Sequence, residues 1–443
     1  MISKPPGFRR FAIDHDVTMR TLKITLLVHA AVHMTLIWIA IAAALLTGSI
    51  AAHADFPSEI DAHDVDAVAE RYNCEKVVIG SPTPGLLLVP RGDRNNIDGK
   101  YNQRYHTVCH VFVNNEQIQH GAPSGYTQRF LVYGATPETG PLMLRSSRLL
   151  LLLWGEVKRR LQRDHLPEEP AVQVWLSVQK GAGLSPDIAG EQFKSQIYLY
   201  DVLHNRAPIE WVRELAHEYG HYSLPGISGY TDPEEWANGI LGEKLFINWL
   251  DTSLAHHTVR IEDLPFVTPA ELKEFDDHEI TPLIERVVSR GPDRSGLAAR
   301  DASGMTAYVS LALYADALYG SNLLKAAINA TEPSRQDRLA EAPDFYRGLT
   351  TAMSEIDALK VHVALVTGPA GQSVSLFLPP GQYHLDFVPS VQDWMLRPVT
   401  SSAKKTGANS FIIARADWYQ ITSGNSLPKL SAEIQRITAV RKD

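Results

Sequence analysis

The spacing of apolar and polar residues changes character several times along the chain. From Asp55 to about Pro141, short β-type runs ("KVVIG", "GLLLVP", "TVCHVFV", "RFLVYGA") alternate with turn-rich pieces such as "PRGDRNNIDGK", which predicts a β-rich region. Ser146 to Asp164, "SSRLLLLLWGEVKRRLQRD", is apolar first and basic at its end, where cations suit the helix dipole, and predicts a helix. Val172 to Val178 and Gln196 to Val202 are strand-like, with Gly, Pro and Asp filling the connection. In "APIEWVRELAHEYGHYSL", Pro208 suits a first helical turn, and Ile209, Val212, Leu215 and Ala216 recur at helical spacing. A second helix is expected over "DPEEWANGILGEKLFINWL", with Asp232 as its cap, Pro233 at its first position and two glutamates in its first turn. Thr268 to Leu359 is mainly helical in pattern. From about Lys360, alternating runs cut by Pro and Gly predict a separate β-sandwich-like module.

The first residues carry a different signal. From Met19, a basic start (Arg20, Lys23) leads into an apolar run densest from Leu36 to Leu46, then small residues and Ala52-His53-Ala54. That is the order of a secretory signal peptide cleaved after Ala54, which implies a secreted or periplasmic protein. An uncleaved membrane anchor over Ile24 to Leu46 is the alternative, with His29 and His33 making that span costly. The expected organisation is therefore an extension and signal peptide over 1–54, a β-rich region over 55–145, a central domain over 146–359 and a β module over 360–443.

Composition narrows the function classes. With 443 residues, 44% hydrophobic and 21% charged, the chain reads as globular. A formal net charge of -8 and no long basic run give no support for nucleic-acid binding. The two cysteines, Cys74 and Cys109, fit either a disulfide or two buried thiols. His106 and His110 fall on one face of a strand-like stretch and read as surface or core histidines.

The chemistry concentrates in His217-Glu218-Tyr219-Gly220-His221. Spacing of i and i+4 puts the two imidazoles on one helix face, one turn apart, where both can reach a single ion. Glu218 lies about 100° around the helix, where it can contact a water on that ion without binding the metal itself. This H-E-x-x-H pattern is that of a zinc hydrolase. Zn2+ then needs a third protein ligand and an open position.

On these residues the block from Ser195 to Glu243 resembles the zincin metallopeptidases, and more narrowly their gluzincin branch, in which a glutamate on the next helix completes the site. A metzincin continuation is absent, since Ile227 stands where its third histidine would be. The resemblance implies an α+β fold: a zincin-like core of a small sheet, the HExxH helix and following helices, flanked by β-rich regions. It implies a zinc-dependent peptidase acting on peptide or protein, with His217 and His221 as ligands and Glu218 as general base. Gly239 occupies the usual ligand position. Glu243, one turn later on the same face, is the expected third ligand; Glu235 is the first reserve, followed by Asp232, Glu234 and Asn238. Tyr230, Tyr308, Tyr314, Tyr319 and His257 are available to hold an oxyanion, and none is assigned. "QIYLYDV" is the expected edge strand for an extended substrate. The competing reading is a zincin-like scaffold without turnover, used for binding or structure.

Overall fold

The computed structural model describes residues 56–115, 125–164, 171–179, 190–194, 196–204, 206–333, 339–356, 359–368, 371–389, 394–399, 405–406, 410–423 and 430–437. The expected signal peptide lies outside the described residues. Among the described residues no helix is long and apolar enough to cross a membrane. Glu59 to Asp443 forms one compact unit.

The fold is α+β. After the short β1 (Glu59–Asp61) and α1 (Val65–Arg71), the chain runs through β2 (Cys74–Ile79), β3 (Gly85–Pro90), the small hairpin of β4 (Asn96–Ile97) and β5 (Arg104–Tyr105), β6 (Thr107–Asn114) and β7 (Gly125–Gly134). A long helix α2 (Gly140–Leu161) follows, then β8 (Val172–Leu176), β9 (Gly190–Phe193) and β10 (Gln196–Leu199). The strands expected to form a separate N-terminal region do not make a sheet of their own. They join the central strands in one mixed sheet of order β2-β3-β6-β7-β8-β10-β9, with β1 also paired to β7. The physical reason is β7, whose two edges pair antiparallel with β6 and parallel with β8. The expected boundary between 145 and 146 falls inside α2.

Period-two alternation explains both faces of this sheet. Phe130, Val132, Val172, Val174, Ile197 and Leu199 are fully buried in the main core, where α2 contributes Leu149 to Leu153 and Trp154. The opposite face carries a ladder of aromatic rings: Tyr133 and Trp175 stack at 3.8 Å, Trp175 and Tyr198 at 6.3 Å, Tyr198 and Tyr200 at 6.3 Å. Tyr105, from the β4–β5 hairpin, closes over Trp175.

The histidine-bearing helix α3 (Pro208–Ser223) packs against α4 (Asn238–Ala255). Helix α4 begins later than the sequence predicts. The Ala237 amide is spent on Ile227 O at 2.9 Å, and Trp236 lies across Gly226, so residues 225–237 run as an irregular connection. Then come α5 (Pro269–Phe275), α6 (Thr281–Arg290), α7 (Ala302–Tyr319), α8 (Ser321–Asn329) and α9 (Ala342–Ser354).

The remaining strands begin with β11 (Lys360–Ala364), β12 (Val366–Gly368), β13 (Gly371–Leu378) and β14 (Gly381–Val388). They continue with β15 (Trp394–Pro398), β16 (Lys405–Thr406), β17 (Ser410–Ile413), β18 (Asp417–Ser423) and β19 (Ser431–Ile437). They form two antiparallel sheets, β11-β19-β14-β17 and β12-β13-β18-β15-β16. This module is not insulated from the helices. Tyr314 donates to Ser375 O at 2.7 Å, Gln420 donates to Ser289 O at 2.7 Å, and Trp418 belongs to the same continuous core as Trp249.

The two cysteines are unpaired and buried. His106 and His110 are spent structurally, on Asp93 and on Gln128.

Candidate metal centre

Helix α3 brings His217 and His221 together as one-turn spacing requires, their ring centroids 5.2 Å apart. What sets the rest of the site is how near α4 comes. A methyl group built on Gly242 would meet Gly220 Cα at 2.6 Å, and one on Gly220 would meet Asn238 O at 2.5 Å. The two helices touch backbone to backbone at this pair of glycines. One turn away, a methyl group on Gly239 would stand 2.6 Å from Nε2 of both His217 and His221. No side chain fits at 239, and both Nε2 atoms face the space it leaves.

The Nδ1 atoms look the other way, each towards an acceptor. His221 Nδ1 lies 2.9 Å from Asn238 Oδ1, and His217 Nδ1 lies 3.8 Å from Glu243 Oε2. Acceptors on Nδ1 favour the tautomer whose Nε2 carries a lone pair, which is what a metal ligand needs.

The donor set differs from the expected one at its third member. Glu234 Oε2 lies 3.2 Å from His217 Nε2 and 3.6 Å from His221 Nε2, and these three residues form a group able to hold one ion. Glu243, expected in that role, stands on the Nδ1 side of His217. There Arg213 Nε donates to it at 2.9 Å and Lys244 Nζ at 3.2 Å. Burial alone would raise its carboxyl; contact with His217 and the charges of Lys244 and Arg213 hold it down at about 2. Glu243 therefore orients a histidine and neutralises two cations. Glu235 and Asp232 are exposed, and Asn238 is spent on His221.

Glu234 reaches the imidazoles because the late start of α4 leaves it outside the helix. Its second oxygen takes the Ile240 amide at 3.3 Å, one of the first-turn N–H groups that have no partner within a helix. The sequence offers one clue: Gly239 excludes a ligand at its own position, so the acid must come from a neighbouring segment.

The donor types and two of the three donor separations suit a divalent ion. Tetrahedral donors at zinc distances stand about 3.3–3.6 Å from one another, close to the two Glu234–imidazole separations. Without an ion, burial pulls the His217 imidazole down, but the carboxylates of Glu234 and Glu243 outweigh it and hold the ring well above the ordinary histidine range. Burial, helped by the charge of His217, lowers His221. One ring thus keeps a proton that a cation would displace.

Glu218 is 4% exposed, and its Oε2 has no hydrogen-bond partner among the described residues. Burial pushes its carboxyl up to about 8, against the charge of His217, which pulls it down. A general base poised near neutrality has this character. Beside it runs β9. The expected edge strand, β10, is covered by β9, which pairs antiparallel along it and forms the edge itself. Tyr222 anchors this hairpin to α3 by donating to the carbonyls of Lys194 and Gln196.

The residues available to an oxyanion divide. Tyr314 and Tyr319 hold carbonyls of the C-terminal module, and Tyr308 is core, packed edge-on against Phe345 at 5.1 Å. His257 lies past the far end of α4, about 27 Å along the helix from Gly239. Tyr230 is buried, with no hydroxyl partner among the described residues.

No protein-family model matches the sequence, and no curated protein matches it. Among solved structures, the crystal structure of Legionella pneumophila aminopeptidase A in complex with aspartic acid aligns at 10% identity, over 77% of this chain and 41% of that one, with a TM-score of 0.27. The chain thus spans under half the length of that protein, and a likeness of this degree carries no argument about function.

Proposed function

We propose that the protein is a zinc-dependent peptidase, with His217, His221 and Glu234 as the metal ligands and Glu218 as the general base. One observation carries this reading: two Nε2 atoms and one carboxylate oxygen converge beside a buried glutamate whose Oε2 has no hydrogen-bond partner among the described residues.

Held there, zinc would supply Lewis acidity towards a substrate carbonyl and would acidify a water. Glu218 takes the proton of the attacking water and returns it to the leaving amine, a role worth typically 10²–10⁴-fold. Asn238 and Glu243 hold the two rings by their Nδ1 sides. Among the described residues β9 is the edge of the sheet, and its backbone groups are offered to an extended peptide. The order of residues 19–54 further supports export.

Metal analysis tests the ligand set. Purified protein is expected to carry about one zinc per chain, and Glu234→Ala to lose it. Glu218→Gln is expected to keep the metal and to lose hydrolysis of a peptide library. A binding protein on the same scaffold makes the opposite forecast: wild type and Glu218→Gln would treat every peptide alike, and that result would overturn the peptidase reading.

A further inference from the structure

Carboxylates crowd the histidine-bearing face of α3, and four of six have partners among the described residues. Glu210 takes Arg213 Nη1 at 2.9 Å, and Glu243 takes Arg213 and Lys244. Glu234 spans the imidazoles and the Ile240 amide. Glu191 on β9 is held by Lys100, by Tyr101 at 3.0 Å and by Tyr200 at 2.8 Å. Two are left over. One is Glu218, with its buried, unpartnered Oε2. The other is Glu214, one turn earlier on the same helix. It is half-buried and makes no hydrogen bond or ion pair among the described residues.

Glu214 is three residues before His217 and four before Glu218, so it shares their face. The close approach of β9 shows where its carboxylate lies. A methyl group built on Gly190 would stand 2.9 Å from Glu218 Oε1 and 3.2 Å from Glu214 Oε2, so both carboxylates flank one point at the end of the edge strand. The charges of His217, Arg206 and Arg213 act on Glu214 from nearby, but the guanidiniums hydrogen-bond other groups: Arg206 Nη2 donates to Tyr200 O at 2.8 Å, and Arg213 serves Glu210 and Glu243. A carboxylate half withdrawn from water with no cation hydrogen-bonded to it among the described residues carries a desolvation cost that a ligand cation would offset.

The geometry points to Glu214 as a specificity-determining residue. It accepts a hydrogen bond from a cationic group, either an α-ammonium or a Lys or Arg side chain, on a substrate residue flanking the scissile bond. This rests on the peptidase reading, because Glu218 marks the reacting carbonyl.

The test uses alanine octapeptides carrying lysine, or its uncharged isostere norleucine, at each position in turn, with free or acetylated N-termini. Binding is measured on the zinc-loaded Glu218→Gln protein, and cleavage on wild type. A hydrogen bond to a charged group predicts about tenfold or tighter binding of a cationic peptide than of its neutral partner. Glu214→Gln is expected to collapse that ratio, and Glu214→Lys to transfer the preference to glutamate-bearing peptides. A preference that vanishes on acetylation identifies the α-ammonium; one that follows lysine at a single position identifies the side chain. Equal binding of lysine and norleucine peptides together with equal binding of free and acetylated peptides, or a ratio unchanged in Glu214→Gln, overturns the assignment. Preferential binding with no cleavage of any peptide overturns the peptidase reading instead, and no binding of any peptide overturns both.

Discussion

Glycine 239 is the residue on which the centre turns. Its missing side chain is what lets both Nε2 atoms face open space, so Gly239→Ala is expected to displace the rings and cut zinc content sharply while the circular dichroism spectrum stays native; unchanged zinc would refute this account. Glu243 acts from the opposite side of His217. Glu243→Gln is expected to retain zinc but weaken its affinity roughly 10–100-fold, measured by competition with a chelator. A stoichiometric loss would instead make Glu243 a ligand. Glu218 gives a pH signature in metal-free protein. Its carboxyl is raised from 4.5 to about 8 by burial, so between those values the folded state holds a proton that the unfolded chain has released. Its contribution is fully present below the lower value and is lost as pH rises through the upper one. Glu218→Gln has nothing to titrate. Urea midpoints of the chelator-treated proteins should therefore diverge in favour of the variant as pH climbs through that window, and parallel curves would contradict the burial argument.

At the scale of elements, the contact of α3 with α4 makes the site possible. Gly220 lies inside the H-E-x-x-H motif, and Gly242 faces it from α4. A Cβ on either meets backbone rather than a yielding side-chain tip. Gly220→Ala or Gly242→Ala is expected to destabilise by about 1–3 kcal/mol through overpacking, read by urea unfolding, and to weaken zinc binding by moving Gly239 away from the rings. A variant with wild-type stability would show that the helices can part without cost. The hairpin of β9 and β10 is the second positioning element. Tyr222 and the Glu191 cluster fasten it so that Gly190 abuts Glu218.

Across the whole molecule, the helices and the C-terminal sandwich share one continuous core. Tyr314, buried in α7, donates to Ser375 O in β13. Tyr314→Phe is expected to cost about 1–3 kcal/mol by leaving a buried carbonyl unpaired, and thermal unfolding should remain a single transition. Two separated transitions would mean that the module folds independently of the helices. The β-rich N-terminal strands are bound in similarly, as neighbours of β7 and β8 in one sheet.

Local pattern sufficed wherever an element is decided by its own residues. The strands β2, β3, β6, β7, β8 and β10, the helices α2 and α3, and the change to β structure at Lys360 follow from periodicity, because burying one face of a strand or helix writes a period of two or 3.6 into the chain. The pairing of His217 with His221 follows for the same reason, since one turn of helix fixes it. The proposed third donor is different in kind. Glu234 and Glu243 are both glutamates near the start of α4, and nothing in their immediate neighbours says which faces Nε2. That was decided by the late start of α4, by the glycine contact with α3 and by Arg213 claiming Glu243 from across the gap. Likewise, that the β-rich start is part of the central sheet, and that β9 covers β10, depends on hydrogen bonds between strands far apart in sequence, which no local period encodes.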